Sequence, residues 1–193
     1  PFTLKKLSKN IKNKAYKKKF NILSIGRFSV EKNLKEIIRA VGILNDKHIC
    51  LKLLGNGTEI DNLKSIARSQ NVDIKFYKFS NKKEKKLLKE TNLYINSSHF
   101  EGFPNVILKA LDLNVPVIAS KSHGGIYEML MNGKGGMLYN QGDEVDLSKK
   151  IIEIKNNYNF HLDKTYLHKK KLTKFLAEKN ILKFQKLLDR ILD

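Results

Sequence analysis

Three short segments of the sequence combine glycine with charged or hydroxyl side chains, and each could bind an anion. In the first, residues 26–33, Gly26 is followed by Arg27 and Lys32. An arginine offers a planar fork of donors that suits phosphate oxygens, and a lysine adds a point charge. The pair predicts a phosphate contact, but one lysine in six residues is a weak signal in a chain this basic.

The second segment, residues 98–105, has the sequence SHFEGFPN. Gly102 would let a ligand approach the backbone closely, and Glu101 supplies acceptors for sugar hydroxyls. A helix start in this segment would favour an anion. The alternative is a plain strand-to-helix turn with a serine or asparagine cap. His99 alone is more typical of a structural histidine than of a catalytic one.

The third segment holds Gly124 and Gly125, with Glu128 three residues further on. Two glycines at a helix start can cradle a phosphate group. The same pair is a common way for a chain to enter a helix, so by itself it carries little weight.

Short β-branched apolar runs alternate with stretches of helical periodicity from residue 21 onward. The runs predict strands at residues 21–26, 49–54, 74–77, 93–96, 115–119 and 137–139. The periodic stretches predict helices near residues 33–44, 59–69, 82–90, 104–113 and 124–131, and after 143. We therefore expect an α/β fold, a Rossmann-like open parallel sheet of about six strands with helices on both faces, plus C-terminal helices.

The three segments follow the first, fourth and fifth predicted strands. Ligands of open parallel sheets bind at the carboxyl ends of the strands, where loops and helix N-termini converge. We therefore expect the three segments to meet in one cleft whose positive charge and free amides face a pyrophosphate group.

We predict three parts along the chain: a basic linker at residues 1–20, a Rossmann-like domain at 21–157 and a helical extension at 158–193. The chain opens at Pro1 as if cut from a longer protein. The extension carries an apolar stripe opposite many lysines, which must pack on something. The stripe consists of Leu172, Phe175, Leu176, Leu187, Leu188, Ile191 and Leu192.

The formal net charge is +19, from 38 Lys and Arg against 19 Asp and Glu. This charge predicts attraction to phosphates, nucleic acid or an acidic membrane face, and an AT-biased genome would explain the lysine excess equally well. Nucleic acid is disfavoured as a partner because the basic residues are spread out without interleaved aromatic residues. A basic amphipathic tail could rest on anionic lipid.

Cys50 is the only cysteine, so no internal disulfide can form, and no apolar run approaches the ~20 residues of a membrane span. We expect a cytoplasmic protein with a peripheral place on the inner face of the membrane. The acidic cluster Asp143, Glu144 and Asp146 fits the first turn of a helix, where acids favour the helix dipole, so we predict no metal site there.

Five stretches in order and spacing resemble the carboxy-terminal domain of the large retaining glycosyltransferase family with the GT-B fold, often called family 4. The resemblance covers roughly residues 21–142, and five ordered matches are far more specific than any one. The matching stretches are residues 26–33, 53–57, 101–106, 115–120 and 124–142.

The resemblance implies a role for each matching residue. Arg27 and Lys32 would hold the diphosphate and Glu101 would contact donor-sugar hydroxyls, and these three form the catalytic set. The remaining substrate-binding positions would be Gly26, Asn56, Gly57, Ser98, Gly102, Phe103, Pro104, Asn105, Lys109, Gly124, Gly125 and Glu128. No metal or other cofactor is expected in such a transferase, because cationic side chains and helix dipoles stabilise the leaving diphosphate.

The function implied is retaining transfer of a hexose or N-acetylhexosamine from a nucleoside diphosphate sugar, with a UDP-sugar favoured. The acceptor would be a surface glycan or a lipid-linked sugar. An N-terminal acceptor domain, missing from this chain, would choose that acceptor, so the chain should bind donor but catalyse little alone. The alternative is a degenerate, non-catalytic module with a basic surface for anionic membrane or nucleic acid.

One residue departs from the family motif. The motif has a second glutamate eight positions after the first, which usually bonds the nucleotide ribose, but this chain has Lys109 there. Lysine has only donors and cannot accept hydrogen bonds from ribose hydroxyls. Either the donor binds weakly, or the ribose is held otherwise, or the function has drifted. On this reasoning Lys109→Glu should strengthen donor binding.

Overall fold

The protein forms one six-stranded parallel sheet with the strand order β3-β2-β1-β4-β5-β6. The structure, a computed structural model, describes residues 19–175 and 177–192. The strands are β1 (Phe20–Ile25), β2 (Ile49–Leu54), β3 (Ile74–Tyr77), β4 (Leu93–Asn96), β5 (Val117–Ser120) and β6 (Met137–Tyr139). The predicted fold class is confirmed, and the predicted linker lies outside the described residues up to residue 18.

Helices cover both faces of the sheet. They are α1 (Leu34–Leu44), α2 (Ile60–Ser69), α3 (Asn81–Glu90), α4 (Asn105–Asp112), α5 (Ile126–Met129), α6 (Glu144–Asn156), α7 (Tyr158–Lys169) and α8 (Ala177–Leu192). Two 3-10 helices, Val30–Lys32 and Lys170–Phe175, precede α1 and α8.

The predicted bounds of β2, β3, β4 and β6 agree with the structure, and the other strands and α1–α5 differ from prediction by no more than two residues at either end. Pro104 immediately precedes α4 instead of lying in its first turn. Strand β5 begins at Val117, so it starts two residues later than predicted. Helix α5 has a single turn instead of spanning 124–131, because Gly124 has φ +113° and Met131 has φ +48°, neither of which a helix allows.

Successive residues along each strand belong to two separate apolar cores, one on each face of the sheet. Ile22 packs with α1, α2, α6 and α7 on one face, whereas Leu23 packs with α3, α4 and α5 on the other. Both side chains are fully buried. Because both faces are covered, the central strands are almost continuously apolar, as is typical of parallel sheets.

The predicted C-terminal stripe divides into two parts. Leu172 and Phe175 are buried in the core that contains α4. On α8, in contrast, Leu187, Leu188 and Ile191 are 40–69% exposed. Leu176 lies outside the described residues, as does the side chain of Leu192. The division of the chain at residue 157 stays a prediction.

The strand order reverses direction between β1 and β4. From β1 the chain continues to α1 on one face, and from β4 it continues to α4 on the other. The loops after these two neighbouring strands therefore separate and leave a crevice at their carboxyl ends. This switch point is where open α/β sheets bind ligands.

Candidate functional site

A cleft of about 800 Å³ opens at the carboxyl ends of β1 and β4. Its wall comes from four loops and from the first turns of α3 and α4. The lining residues are Ile25, Gly26, Arg27, Glu31, Lys32, Gly55, Asn56, Phe79, Glu84, Tyr94, Asn96, Glu101, Phe103, Pro104, Asn105, Val106 and Lys109. The cleft therefore unites the loops after β1 and β4, as predicted, but the segment after β5, which was predicted to join them, does not line it.

The loop after β1 is fixed to the loop after β2 by backbone hydrogen bonds. The amide of Phe28 donates to the carbonyl of Asn56 at 2.8 Å, and the amide of Glu59 donates to the carbonyl of Phe28 at 3.1 Å. A Cβ on Gly57 would lie 2.1 Å from that same carbonyl oxygen. Gly57 therefore permits the two loops to pack, whereas Asn56 lines the cleft.

The loops after β1 and β4 are joined by an ion pair inside the cleft. The ammonium group of Lys32 donates to the Glu101 carboxylate, and the Ser98 hydroxyl donates to the same oxygen at 2.9 Å. Two further hydrogen bonds fix the backbone of these loops. The amide of His99 donates to the carbonyl of Glu31 at 2.9 Å, and the hydroxyl of Ser97 donates to the carbonyl of Lys32 at 2.8 Å. The positions of Lys32 and Glu101 are therefore fixed together.

The two-glycine segment after β5 packs behind the Glu101 loop. The amide of Gly125 donates to the carbonyl of Gly102 at 2.9 Å. A Cβ on Gly124 would lie 1.7 Å from the carbonyl oxygen of Glu101, and its φ of +113° also favours glycine. The segment thus supports the cleft without lining it.

Nine of the fifteen predicted site residues line the cleft: Gly26, Arg27, Lys32, Asn56, Glu101, Phe103, Pro104, Asn105 and Lys109. Gly57, Ser98, Gly124 and Gly125 support these loops from behind. Gly102 is exposed, and a Cβ there would meet no described atom within 4 Å. Glu128 lies outside the cleft because α5 directs it towards Lys174, 3.3 Å away.

Eight lining residues were not among the predicted site residues: Ile25, Glu31, Gly55, Phe79, Glu84, Tyr94, Asn96 and Val106. Tyr94 and Asn96 carry a signal, since they are polar groups in an otherwise apolar buried strand. Phe79 also carries one, because it follows the carboxyl end of β3. Glu84 is hidden among the lysines of α3, and only the tertiary structure turns it inward.

Tyr94 lies at the floor of the cleft as a neutral hydroxyl. The side chain is 1% exposed. Burial raises the pKa of its phenol well above the ordinary value, and the Glu101 carboxylate raises that pKa further. The phenol therefore keeps its proton at physiological pH, and within the protein it has hydrogen-bonding partners in the Asn96 side chain and the Ile25 backbone.

The charges that line the cleft are three cations and three carboxylates. Lys32 is paired with Glu101, and Lys109 is paired with Glu84. Arg27 is exposed and forms no salt bridge with any residue that the structure describes. Its guanidinium group can therefore take an anion without breaking an existing ion pair.

Lys109 contacts both oxygens of the Glu84 carboxylate, at 2.9 and 3.0 Å. Glu84 belongs to α3 and Lys109 to α4, so the pair joins the two helices across the wall of the cleft. Lys109→Glu would place a second carboxylate against that of Glu84, and the two negative charges would repel each other. Lys109→Glu by itself is therefore not expected to strengthen donor binding.

The acidic cluster at the start of α6 has structural partners. Asp143 accepts from the amide of Asp146 at 2.7 Å, and Glu144 bonds Arg39 at 3.1 Å. Across residues 19–175 and 177–192, no group of three or more His, Cys, Asp or Glu side chains is placed to hold a metal ion. Nor does any helix in this part of the chain have the length and hydropathy needed to cross a membrane.

Residues 6–171 match the family model described as glycosyl transferases group 1. An uncharacterized glycosyltransferase of Methanocaldococcus jannaschii is 32% identical over 127 residues, which cover 64% of this chain and 31% of that protein. The capsular polysaccharide biosynthesis glycosyltransferase CapM of Staphylococcus aureus is 29% identical over 143 residues, with 72% and 37% covered.

Among solved structures, Anabaena HepE in complex with UDP is similar in fold. The TM-score is 0.83 at 20% identity, and the match covers 90% of this chain and 49% of that one. The chain thus spans less than half the length of these relatives. The family match covers most of the chain, and the sheet order and the cleft at the switch point agree with it. The chain belongs to the group 1 glycosyl transferase family.

Proposed function

We propose that this chain is the donor-binding half of a retaining glycosyltransferase of the GT-B, family 4 type, and that its cleft binds a nucleoside diphosphate sugar. A UDP-sugar is the favoured donor, and a hexose or N-acetylhexosamine is the group transferred. The acceptor is a surface glycan or a lipid-linked sugar. A second domain, outside this chain, selects that acceptor.

One observation carries the proposal: Arg27, Lys32 and Glu101 lie in a single cleft at the switch point of the sheet. The two cations suit a diphosphate, and the carboxylate suits sugar hydroxyls. A volume of about 800 Å³ falls in the range of clefts that hold ligands of this kind. Two relatives support the donor and acceptor classes: HepE was solved with UDP and with UDP-glucose, and CapM acts in capsular polysaccharide biosynthesis.

In the reaction, the bond between the sugar and the diphosphate breaks through an oxocarbenium-like transition state. Negative charge moves onto the leaving diphosphate, where Arg27 and Lys32 stabilise it. The N-terminus of α4, immediately after Pro104, adds the positive end of a helix dipole on the same side. These groups take the role that a metal ion has in other transferases, so we propose that donor binding needs no metal.

A thermal-shift panel tests donor binding. The chain is heated with uridine, guanosine or adenosine diphosphate and with their sugars. A ligand at 100 times its dissociation constant stabilises a protein by about 2.7 kcal/mol. We expect uridine diphosphate to raise the unfolding temperature, Arg27→Ala to abolish the shift, and the exposed Arg68→Ala control on α2 to retain it.

The alternative function is a binding module without turnover. Its support is the exposed apolar residues of α8, together with the net charge of +19. That alternative predicts strongly salt-dependent binding to anionic vesicles and no thermal response to any diphosphate. If no diphosphate stabilises the chain, the proposal of donor binding is wrong.

A further inference from the structure

The cleft has a second charged pair, Glu84 and Lys109, apart from the pair formed by Lys32 and Glu101. Glu84 lies in the first turn of α3, and its side chain is only 10% exposed. Lys109 lies in α4 and is 37% exposed. Both side chains line the cleft, so a bound ligand can reach the pair from the solvent side.

Burying the Glu84 carboxylate is costly unless a partner compensates for its lost hydration. Its neighbours on the helix, Lys83 and Lys85, are exposed and are not its ion-pair partners; the partner is Lys109, on a different helix. A carboxylate has about four acceptor sites on its two oxygens. Lys109 occupies one site on each oxygen. The remaining sites can accept hydrogen bonds from a ligand.

The wall around this pair suits a nucleoside. The diphosphate end of the cleft is defined by Arg27 and Lys32, and a diphosphate fills only part of about 800 Å³. Other lining residues are aromatic or apolar, namely Phe79, Tyr94 and Val106. Such surfaces suit the flat base and the sugar ring, and a carboxylate with two free acceptor sites suits a pair of neighbouring hydroxyls.

We propose that Glu84 accepts hydrogen bonds from the 2′- and 3′-hydroxyls of the donor's ribose, and that Lys109 is a positioning residue that holds the carboxylate towards the cleft. This inference rests on the proposed function, because it assigns the nucleotide to the same cleft. Lys109 also neutralises the carboxylate, so the second acidic group does not repel the diphosphate.

The test compares the binding of UDP with that of its 2′,3′-dideoxy analogue by calorimetry. Hydrogen bonds to charged groups are strong, so the unchanged chain should bind UDP about tenfold or more tightly than the analogue. In Glu84→Gln that preference should fall to about threefold or less. Glu90→Gln is the matched control, since Glu90 lies on the same helix and pairs with Lys52 outside the cleft; it should leave the preference unchanged.

Two substitutions of Lys109 separate positioning from general damage. Lys109→Arg keeps a cation that can hold both carboxylate oxygens, so it should retain the preference for UDP over the analogue. Lys109→Met should lower that preference. Because the preference is a ratio of two affinities in one variant, a change in folding or in diphosphate binding cancels. Full retention in Lys109→Met would remove the positioning role.

The outcomes also distinguish the two proposals. If UDP does not bind, the proposed function fails and this inference fails with it. If UDP binds but the chain does not distinguish it from the dideoxy analogue, only the ribose contact is wrong. The same conclusion follows if Glu84→Gln keeps the full preference. Inorganic pyrophosphate should bind the chain and Glu84→Gln with similar affinity, because it has no ribose.

Discussion

The proposed function implies that Glu101 and a bound diphosphate compete for the same lysine, Lys32. In the structure the Lys32 ammonium group is held by the Glu101 carboxylate, and both side chains are largely buried, at 25% and 16% exposure. A diphosphate in the cleft has to draw Lys32 away from this partner or share it. Glu101→Gln removes the competing charge and keeps the shape, so it should tighten binding of UDP.

The same substitution should weaken the contribution of the sugar. An ion pair of this exposure is worth about 1 kcal/mol, so freeing Lys32 should tighten UDP binding roughly fivefold. A hydrogen bond to a carboxylate is worth about 1 kcal/mol more than one to a neutral amide. If Glu101 accepts from two sugar hydroxyls, Glu101→Gln should lower the preference for UDP-glucose over UDP by about 2 kcal/mol, or roughly thirtyfold.

Calorimetric titration of both ligands into the unchanged chain and Glu101→Gln measures these two effects separately. Ser98→Ala is the matched control, because it removes the hydroxyl that donates to Glu101 at 2.9 Å and leaves the charge in place. It should change both affinities by a smaller factor. The reasoning is refuted if Glu101→Gln weakens UDP and UDP-glucose by the same factor, since Glu101 would then neither compete for Lys32 nor contact the sugar.

Two further predictions concern the support of the cleft and the pH dependence of folding. Gly124→Ala should lower the free energy of unfolding by about 2 kcal/mol or more, because the new Cβ would lie 1.7 Å from the carbonyl oxygen of Glu101 at a φ of +113°. Gly102→Ala is the control: it adds a Cβ in open space and should leave the thermal midpoint of unfolding unchanged. Equal midpoints for the two variants would contradict this account. Burial lowers the pKa of His168, although a hydrogen bond from its ring to the carbonyl of Met129 at 2.8 Å opposes the effect. Below the ordinary histidine pKa of about 6.5, unfolding therefore takes up a proton, so the contribution of His168 to stability should be full above that pH and fall as the pH drops below it. Chemical denaturation between pH 7 and 5 should show a smaller fall in the free energy of unfolding for His168→Gln than for the unchanged chain. An unchanged pH dependence in the variant would exclude His168 as the cause.

The fold could be predicted from the sequence because each strand is a short apolar run that ends at a polar loop. Ile22 and Leu23 both had to be buried, which requires helices on both faces. The predicted helix bounds are wrong where the backbone conformation of single residues ends a helix that the apolar periodicity would continue. The apolar residues after Gly124 suggest a longer helix, but positive φ angles at Gly124 and Met131 limit α5 to one turn.

The candidate site could be predicted where a residue directly follows a strand, as Arg27 and Glu101 do. Glu128 also lies shortly after a strand, but it is outside the cleft, because successive side chains of a helix point in different directions around its axis. Glu84 could not be found this way. Its contact with Lys109 joins residues 25 positions apart on two helices, and nothing in a lysine-rich stretch indicates which member turns inward.

The central claim is that the cleft between the loops after β1 and β4 binds the diphosphate of the donor. A crystal structure of the chain with UDP tests it most directly. We predict phosphate oxygens at hydrogen-bonding distance, about 3 Å, from the side chains of Arg27 and Lys32. A diphosphate bound instead to the lysines of α3 or α8, with the cleft empty, would contradict the account.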